Sequence, residues 1–428
     1  MEIGDLNRLY LYLGNEHKSP VIEYRYELDV PAKEEELCEA VSKTLERFPF
    51  FSQKPYLDES GMLIMKKNEG KVPVFFGKKG VMNLGSRETN GYLFCVTAWD
   101  NTISVCASHA LADGRGVIFF ANLMICNYLK LLGYDMEGVN LPYSENDDRD
   151  GDVTELLLDV CARIDATADE NVYNPENVFE IPEDLIYLNT PSSKDVRVTW
   201  DNDVFLKVIH DLNVTPASFI TALVSEAIWD IYDTGDKTIV ADVPVDLRAM
   251  MGSIAQSNFS SNITIPYKPE YADMTMPEKA AKISESLKLQ STRDNMAAGM
   301  NTLAPMLAML SKLPLGDGDA LKKLSGGQEA PPRRTYLLSN IGLVRFPENM
   351  DKHITGFSLW APDLEATPAY GLLTYRNKGA LLMKQNYEDM RIPEAVSSSL
   401  TEYGIDNEVS SFGVLQCHKV DPALFDRI

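Results

Sequence analysis

Residues 102–114 read TISVCASHALADG and lead from a β-rich run through a turn into an apolar segment. The alternation of apolar and small polar residues predicts a strand that ends at His109, and Asp113 and Gly114 follow in the turn. Residues 116–132 are apolar almost all round, which predicts a buried helix. We therefore expect His109 to project into a cavity from a rigid strand end.

The side chain of His109 is the main candidate for a general base. Imidazole titrates near neutrality, which suits removal of a proton from a hydroxyl or an amine. We expect the turn to bring Asp113 close to His109 and to place its carboxylate at a helix N-terminus, where the dipole favours negative charge. Gly114 is expected to permit backbone conformations that a Cβ would forbid. On spacing alone, a structural histidine and an ordinary helix cap are the alternative.

Length and charge limit the classes of function. The chain has 428 residues, which indicates two domains or one large pseudo-symmetric fold. Apolar residues make up 45% and charged residues 24%, which is typical of a globular protein. The net charge of −23 disfavours nucleic acid as a partner. A phosphate-bearing thioester such as acyl-coenzyme A needs a local basic patch for the same reason.

The spacing of the cysteines and the composition of the N-terminal residues indicate the cellular compartment of the protein. Without C-x-x-C spacing, the cysteines are typical of reduced, buried thiols. The N-terminal residues are acidic and lack the apolar run of a signal peptide, and no apolar run reaches the roughly 20 residues of a membrane span. We therefore expect a soluble cytoplasmic protein without a membrane span. The six cysteines are Cys38, Cys95, Cys106, Cys126, Cys161 and Cys417.

Helical and strand patterns alternate along the chain, with several hairpins. This order favours an α/β fold with mixed sheets packed with helices over a purely parallel sheet. The polar stretch 166–194 is interpreted as a crossover between an N-terminal half, residues 1–175, and a C-terminal half, residues 176–428. A Gly- and Pro-rich loop is predicted over 316–332. Predicted helices cover 33–47, 116–132, 218–232, 276–313 and 393–403, and predicted strands cover 92–99, 102–109, 196–200, 238–243, 336–338, 354–360, 371–375 and 380–387.

Other motifs give weaker signals. The segment from Asn146 to Gly151 resembles the start of a calcium loop, but Leu157 occupies the position where a bidentate Glu is needed. The remaining histidines lack ligand spacing, and the adjacent pair Cys417-His418 suits neither a metal site nor a catalytic dyad, so no metal is predicted. Nucleophile-elbow, P-loop and Gly-x-Gly-x-x-Gly motifs are absent from the sequence, which disfavours hydrolases, nucleotidases and dehydrogenases.

The pattern His109-x-x-x-Asp113-Gly114 resembles the signature of the coenzyme-A-dependent acyltransferase superfamily with the chloramphenicol acetyltransferase fold. That superfamily includes alcohol acetyltransferases, polyketide-associated acyltransferases, plant acyltransferases and the condensation domains of peptide synthetases. Ser108 stands where many members have a first histidine, which leaves the subfamily open. Weaker similarities lie at Arg47-Phe48-Pro49-Phe50, Val245-Asp246-Leu247-Arg248, Asn258-Phe259 and Leu338-Ser339-Asn340-Ile341-Gly342.

The resemblance implies two similar subdomains with an active-site tunnel at their interface, and His109 and Asp113 as the catalytic residues. An aspartate buried under such a turn needs a charge partner, and the resemblance implies that Arg248 supplies it. Gly114 and Arg248 would then be structural at the site. The tunnel residues that the resemblance suggests are Ser108, Ser339 and Asn340, the last two as oxyanion donors.

The expected activity is transfer of an acyl group, other than an aminoacyl group, from acyl-coenzyme A to a small-molecule alcohol. The donor is a co-substrate, and no tightly bound cofactor is expected. One alternative is amide formation of the condensation-domain type, or a donor held on an acyl carrier protein as partner. A second alternative is a non-catalytic binding protein that retained the fold.

Overall fold

A computed structural model of the chain describes residues 4–14, 20–79, 82–147, 149–182, 192–315, 333–361, 368–385, 388–416 and 418–428. The helices are α1 Asp5–Leu13, α2 Glu34–Leu45, α3 Gly114–Leu131, α4 Leu157–Cys161, α5 Asn202–Asp211, α6 Pro216–Ile231, α7 Arg248–Met251, α8 Met276–Gln290, α9 Arg293–Leu310, α10 Glu348–Asp351 and α11 Arg391–Glu402. The strands are β1 Val21–Leu28, β2 Gln53–Leu57, β3 Leu63–Lys67, β4 Val74–Phe76, β5 Asn83–Leu84, β6 Phe94–Trp99, β7 Thr102–Ser108, β8 Ser192–Asp201, β9 Ile239–Asp246, β10 Ser260–Tyr267, β11 Tyr336–Val344, β12 Ile354–Trp360, β13 Ala369–Tyr375, β14 Lys378–Gln385, β15 Asn407–Gln416, β16 Lys419–Val420 and β17 Asp426–Arg427.

The first large sheet carries the strand that ends before His109. Its order is β12-β1-β7-β6-β4, with β7 antiparallel to both β1 and β6. All seven residues of β7 are buried. The small polar residues of its alternating pattern are therefore satisfied internally, as when the Ser104 hydroxyl donates to Glu23 at 2.8 Å. Helix α3 packs on this sheet and against α2, and its apolar faces are buried as predicted.

The second large sheet has the order β10-β9-β11-β13-β14-β8-β15. Strand β11 is parallel to both β9 and β13, whereas the other neighbours are antiparallel. The predicted mixed α/β architecture is thus confirmed, including the hairpin of β13 and β14. Helices α6, α8 and α11 pack together around this sheet.

Two large hydrophobic cores correspond to the two sheets, but the chain crosses between them. Strand β12, far along the C-terminal half, pairs with β1 at the edge of the first sheet. Helix α4, in the N-terminal half, contributes Leu157 and Cys161 to the second core. The two cores therefore do not follow a single cut near residue 175, and the proposed division there stays a prediction.

Buried charges join the two sheets. Arg25 on β1 contacts Glu23 on the same strand and Asp195 on β8, each at 2.5 Å. Lys384 on β14 contacts the same Glu23 at 2.5 Å. The side chains of all four residues are at most 9% exposed. Because each buried charge has a partner of opposite sign, the pairs fix the relative position of the sheets.

Several elements of the structure are absent from the sequence-based prediction, among them α1, β1, β10 and β15. The single helix predicted over 276–313 is two helices, α8 and α9, separated at Ser291 and Thr292. The loop predicted over 316–332 lies outside the described residues, as does part of the crossover. No disulfide joins the five cysteines that the structure describes, and none of the described helices is long and apolar enough to cross a membrane.

Candidate active site

His109 follows directly after β7, and its ring is held by the side-chain amide of Asn258. Asn258 Nδ2 donates to the backbone carbonyl of His109 at 2.7 Å, so its Oδ1 is the atom that faces the ring, 2.9 Å from Nδ1. An amide oxygen only accepts hydrogen bonds, and therefore Nδ1 carries the proton. The other nitrogen, Nε2, keeps its lone pair, which is the form that a general base requires.

Helix α1 covers the His109 ring. The ring of Tyr10 stacks on it, with centroids 3.8 Å apart and planes 15° from parallel. Asn7, on the same helix, donates to the carbonyls of Ala110 and Leu111 at 2.9 and 3.2 Å. The N-terminal helix therefore fixes both the ring and the turn that follows it.

Burial governs the protonation state of His109. Loss of solvent disfavours the imidazolium and lowers its pKa below 6.5, although the nearby Asp113 charge and the Asn258 hydrogen bond act in the opposite direction. The residue is thus neutral at pH 7.

The carboxylate of Asp113 lies in a buried hydrogen-bond network whose partners are Gly116, Arg248 and Phe259. It caps α3 by accepting from the Gly116 backbone at 2.9 Å, and it accepts from Phe259 N at 2.8 Å. Arg248 donates to both of its oxygens at 3.0 Å, so the predicted ion pair is present in bidentate form. Burial raises the pKa of Asp113, but the Arg248 charge and these hydrogen bonds outweigh it and lower the pKa below its ordinary value.

Arg248 uses every N–H of its guanidinium. Besides Asp113, it donates to the carbonyls of Ala255 and Ser257 and to Asp246 Oδ1, at 2.8, 2.6 and 2.9 Å. Its side chain is 6% exposed. This network clamps the segment that carries Asn258, and so it sets the position of the His109 partner indirectly.

The sequence interpretation of Gly114 is corrected by the structure. Gly114 is the first residue of α3 and is not among the glycines with positive φ. A Cβ there would instead lie 3.2 Å from the Tyr24 hydroxyl, which donates to the Gly114 carbonyl. The tighter position is Gly116, where a Cβ would lie 2.3 Å from the Gln256 carbonyl oxygen.

A cavity of about 530 Å³ lies against the Asp113–Gly114 turn, between the two halves of the chain. The N-terminal half contributes Tyr24 and Arg115 to its wall, and the C-terminal half contributes Ser260 and Arg345. Of the predicted site residues, Asp113, Gly114, Ser339 and Asn340 line this cavity, whereas His109 is not among its lining residues, so its predicted projection into a cavity stays a prediction. Asn340 Oδ1 accepts a hydrogen bond from the Gly342 backbone at 2.9 Å.

Ser108 does not fit the predicted tunnel role. Its side chain is fully buried, and its hydroxyl accepts from the Ala110 backbone at 3.2 Å. A small hydrogen-bonding residue is suited to this position because it closes the turn after β7. Sequence reasoning also missed Tyr10 and the ring contact of Asn258. Asn258 had a weak signal as part of the Asn258-Phe259 similarity, and Tyr10 had none.

Comparison of the chain with known proteins gives matches at the level of structure only. Neither a protein-family model nor a curated protein sequence matches it. The fold is similar to polyketide synthase associated protein 5 from Mycobacterium tuberculosis, with TM-score 0.61 and 13% identity over 93% of this chain and 96% of that one. It is similar to F. sporotrichioides TRI101, crystallised with coenzyme A and T-2, with TM-score 0.61 and 11% identity over 96% and 99% of the chains.

A third similar structure is the epimerization domain from the third module of tyrocidine synthetase B, with TM-score 0.56 and 9% identity over 94% of each chain. These identities are low, yet the matches span almost the full length of both partners, so they concern the whole two-sheet architecture. The chain therefore has the chloramphenicol acetyltransferase-like fold that coenzyme-A-dependent acyltransferases share with domains of peptide synthetases.

Proposed function

We propose that the protein is an acyltransferase in which His109 is the general base. The observation that carries the proposal is the Asn258 contact, because it commits Nδ1 as a donor and leaves Nε2 as the basic nitrogen. A pKa held below 6.5 by burial keeps that nitrogen unprotonated at neutral pH. Asp113 and Arg248 act by holding the turn and the Asn258 segment, not by touching substrate.

The reaction proceeds without a covalent enzyme intermediate. His109 Nε2 takes the proton from the acceptor as the acceptor oxygen attacks the thioester carbonyl. The tetrahedral oxyanion then collapses, the carbon–sulfur bond breaks, and the imidazolium returns the proton to the departing thiolate. We propose Ser339 and Asn340 as oxyanion donors, since both line the cavity beside the turn.

Acyl-coenzyme A is the proposed donor. The net charge of −23 repels phosphates, but Arg115 and Arg345 line the cavity and are exposed. Arg115 pairs with Asp246 of the same wall at 3.3 Å, so Arg345 is the cation that we assign to the phosphates of the donor. Similar structures crystallised with coenzyme A support the same assignment for this chain.

The proposed acceptor is an alcohol. The similar structures include TRI3, described as a trichothecene 15-O-acetyltransferase, with TM-score 0.60 and 11% identity. An amide-forming or carrier-dependent reaction is the second candidate, because a domain of a peptide synthetase has the same fold. The two reactions differ in acceptor and donor. One assay that offers alcohol and amine acceptors with coenzyme A donors and carrier-protein donors therefore separates them.

The decisive experiment measures release of free thiol from a panel of acyl-coenzyme A donors with mixed alcohol and amine acceptors. We expect acceptor-dependent release that falls about 10²–10⁴-fold in His109→Ala. The matched control is His210→Ala, since the side chain of His210 is 90% exposed and lies on α5. An unchanged rate in His109→Ala refutes the assignment, and binding without turnover of any donor favours a non-catalytic protein.

A second measurement tests the donor separately. Arg345→Ala should raise KM for acyl-coenzyme A several-fold and leave KM for the matching acyl-pantetheine thioester unchanged, because only the former carries the nucleotide phosphates. Equal effects on both thioesters would show that Arg345 does not recognise the nucleotide phosphates. That outcome would leave the proposed role of His109 unaffected.

A further inference from the structure

Three side chains with metal-binding atoms converge in the first sheet, away from the turn that follows His109. Cys95 on β6 and Cys106 on β7 are directly opposite each other in the antiparallel register. His418 reaches them from the C-terminal segment, with Nδ1 3.6 Å from Cys95 Sγ. The two sulfurs and a ring nitrogen all lie within 4.8 Å of one another.

The spacing fits one tetrahedral ion. With Zn–S and Zn–N bonds of about 2.3 and 2.0 Å, two tetrahedral ligands lie about 3.5 Å apart. The observed separation of Cys95 and His418 is 3.6 Å. An oxygen adjoins the group as well, since the Ser104 hydroxyl lies 3.5 Å from Cys106 Sγ.

Burial and charge also fit a bound cation. Cys95 and Cys106 are fully buried and His418 is 6% exposed. Two thiolates and a neutral imidazole balance a divalent ion, so the loaded site adds no net charge to the interior. The neighbouring buried pairs of Glu23 and Asp195 with Arg25 and Lys384 are already balanced. A neutral metal centre therefore avoids the cost of an uncompensated buried charge.

We propose that Cys95, Cys106 and His418 bind a thiophilic divalent ion of the zinc type. Sulfur and imidazole ligands select such ions over magnesium or calcium, which prefer oxygen. These ligands have no characteristic spacing along the chain, because strand register brings the two cysteines together and the C-terminal segment brings His418 to them. The site ties the C-terminal segment to β7, three residues before His109, and so supports the strand that carries the base.

The test uses the full-length protein produced in medium supplemented with Co²⁺, so that metal enters as the chain folds. Cobalt bound by thiolates gives a sulfur-to-metal charge-transfer band in the near ultraviolet and visible bands of tetrahedral geometry. We expect about one Co²⁺ per chain. When the protein is unfolded and then refolded in the presence of Zn²⁺, Zn²⁺ should take the place of Co²⁺. The loaded protein should also melt at a higher temperature than protein refolded with a chelator.

Cys95→Ser and Cys106→Ser should each weaken the charge-transfer band and lower the metal content. Cys161→Ser is the matched control, since Cys161 is equally buried but belongs to the second core. Reduced wild-type protein with no thiolate band overturns the proposal, whether or not the variants fold. So does a band that persists in both Cys95→Ser and Cys106→Ser, or a Cys95–Cys106 disulfide in protein that takes up no metal after reduction.

Discussion

The Asn258 side chain bonds His109 twice, once at the ring nitrogen Nδ1 and once at the backbone carbonyl. The second bond fixes which end of the amide faces the ring, and the first then fixes the ring tautomer. The tautomer of the proposed base therefore depends on one residue, about 150 positions away in the sequence.

Replacement of this residue should damage catalysis more than folding. Asn258→Ala is expected to lower kcat about 10–100-fold, the usual effect of removing a group that orients a functional histidine. Asn262→Ala is the matched control, because Asn262 bonds Asp242 and not His109. Steady-state kinetics beside a melting curve separates the two effects. A kcat equal to that of the wild type would show that the ring is positioned by other contacts.

The pH profile of the reaction should reflect burial of the base. His109 acts when neutral, and burial lowers its pKa from the ordinary value, so kcat/KM should be level at neutral pH and fall only in the acidic range. Asn258→Asp places a negative charge beside Nδ1, favours the imidazolium and should move the acid limb to higher pH. An acid limb above pH 7 in the wild type would contradict this assignment.

Loss of the buried arginine should destabilise the protein strongly. Arg248→Met leaves Asp113 charged and without its partner, which typically costs about 3–5 kcal/mol in the free energy of unfolding. Arg163→Met is the control, because Arg163 is 69% exposed and its contact with Glu155 is 3.7 Å long, and it should cost under about 1 kcal/mol. Denaturant unfolding measures both, and similar values for the two variants would refute a structural role for the ion pair.

Tyr10 should contribute to activity through the stacking of its ring on His109 and not through its hydroxyl. Tyr10→Phe retains the stack on His109 and should keep wild-type activity. Tyr10→Ala removes a contact worth about 0.5–1.5 kcal/mol, and kcat/KM should fall roughly 3–10-fold. If Tyr10→Phe loses as much activity as Tyr10→Ala, the hydroxyl has a role that stacking does not explain.

The stability of three glycine-to-alanine variants should follow the space that is available around each glycine. Gly116→Ala meets the backbone of Gln256 and should cost about 1–3 kcal/mol of stability. Gly114→Ala meets only the Tyr24 hydroxyl at 3.2 Å and should cost less. Gly299→Ala, exposed in α9 with open space around it, should stabilise by about 0.5–1 kcal/mol. Thermal melting checks the order, and a larger loss at Gly114 than at Gly116 would contradict it.

Local sequence patterns predicted the parts of the fold that local physics controls. Helix α3 has an apolar pattern that only burial satisfies, and the hairpin of β13 and β14 has its turn encoded between two apolar runs. The predictions omitted β1, although residues 22–28 alternate apolar and charged side chains, and β10, although residues 263–267 alternate in a similar way. What no local pattern indicates is that Glu23 and Arg25 of β1 are buried, because their partners Asp195 and Lys384 lie on distant strands. Helix α1 is amphipathic but short, so burial of its apolar face is evident only from the elements that it covers.

The sequence by itself determined that His109 stands between a buried strand and a buried helix, with an acidic capping residue four positions later. Only the tertiary structure decided which atoms surround that histidine. Tyr10 comes from the start of the chain, Asn258 from the loop after α7, and β12 returns from the C-terminal half to complete the first sheet. Such contacts depend on strand register and on the docking of two cores, and these arise from non-local packing that no short segment encodes.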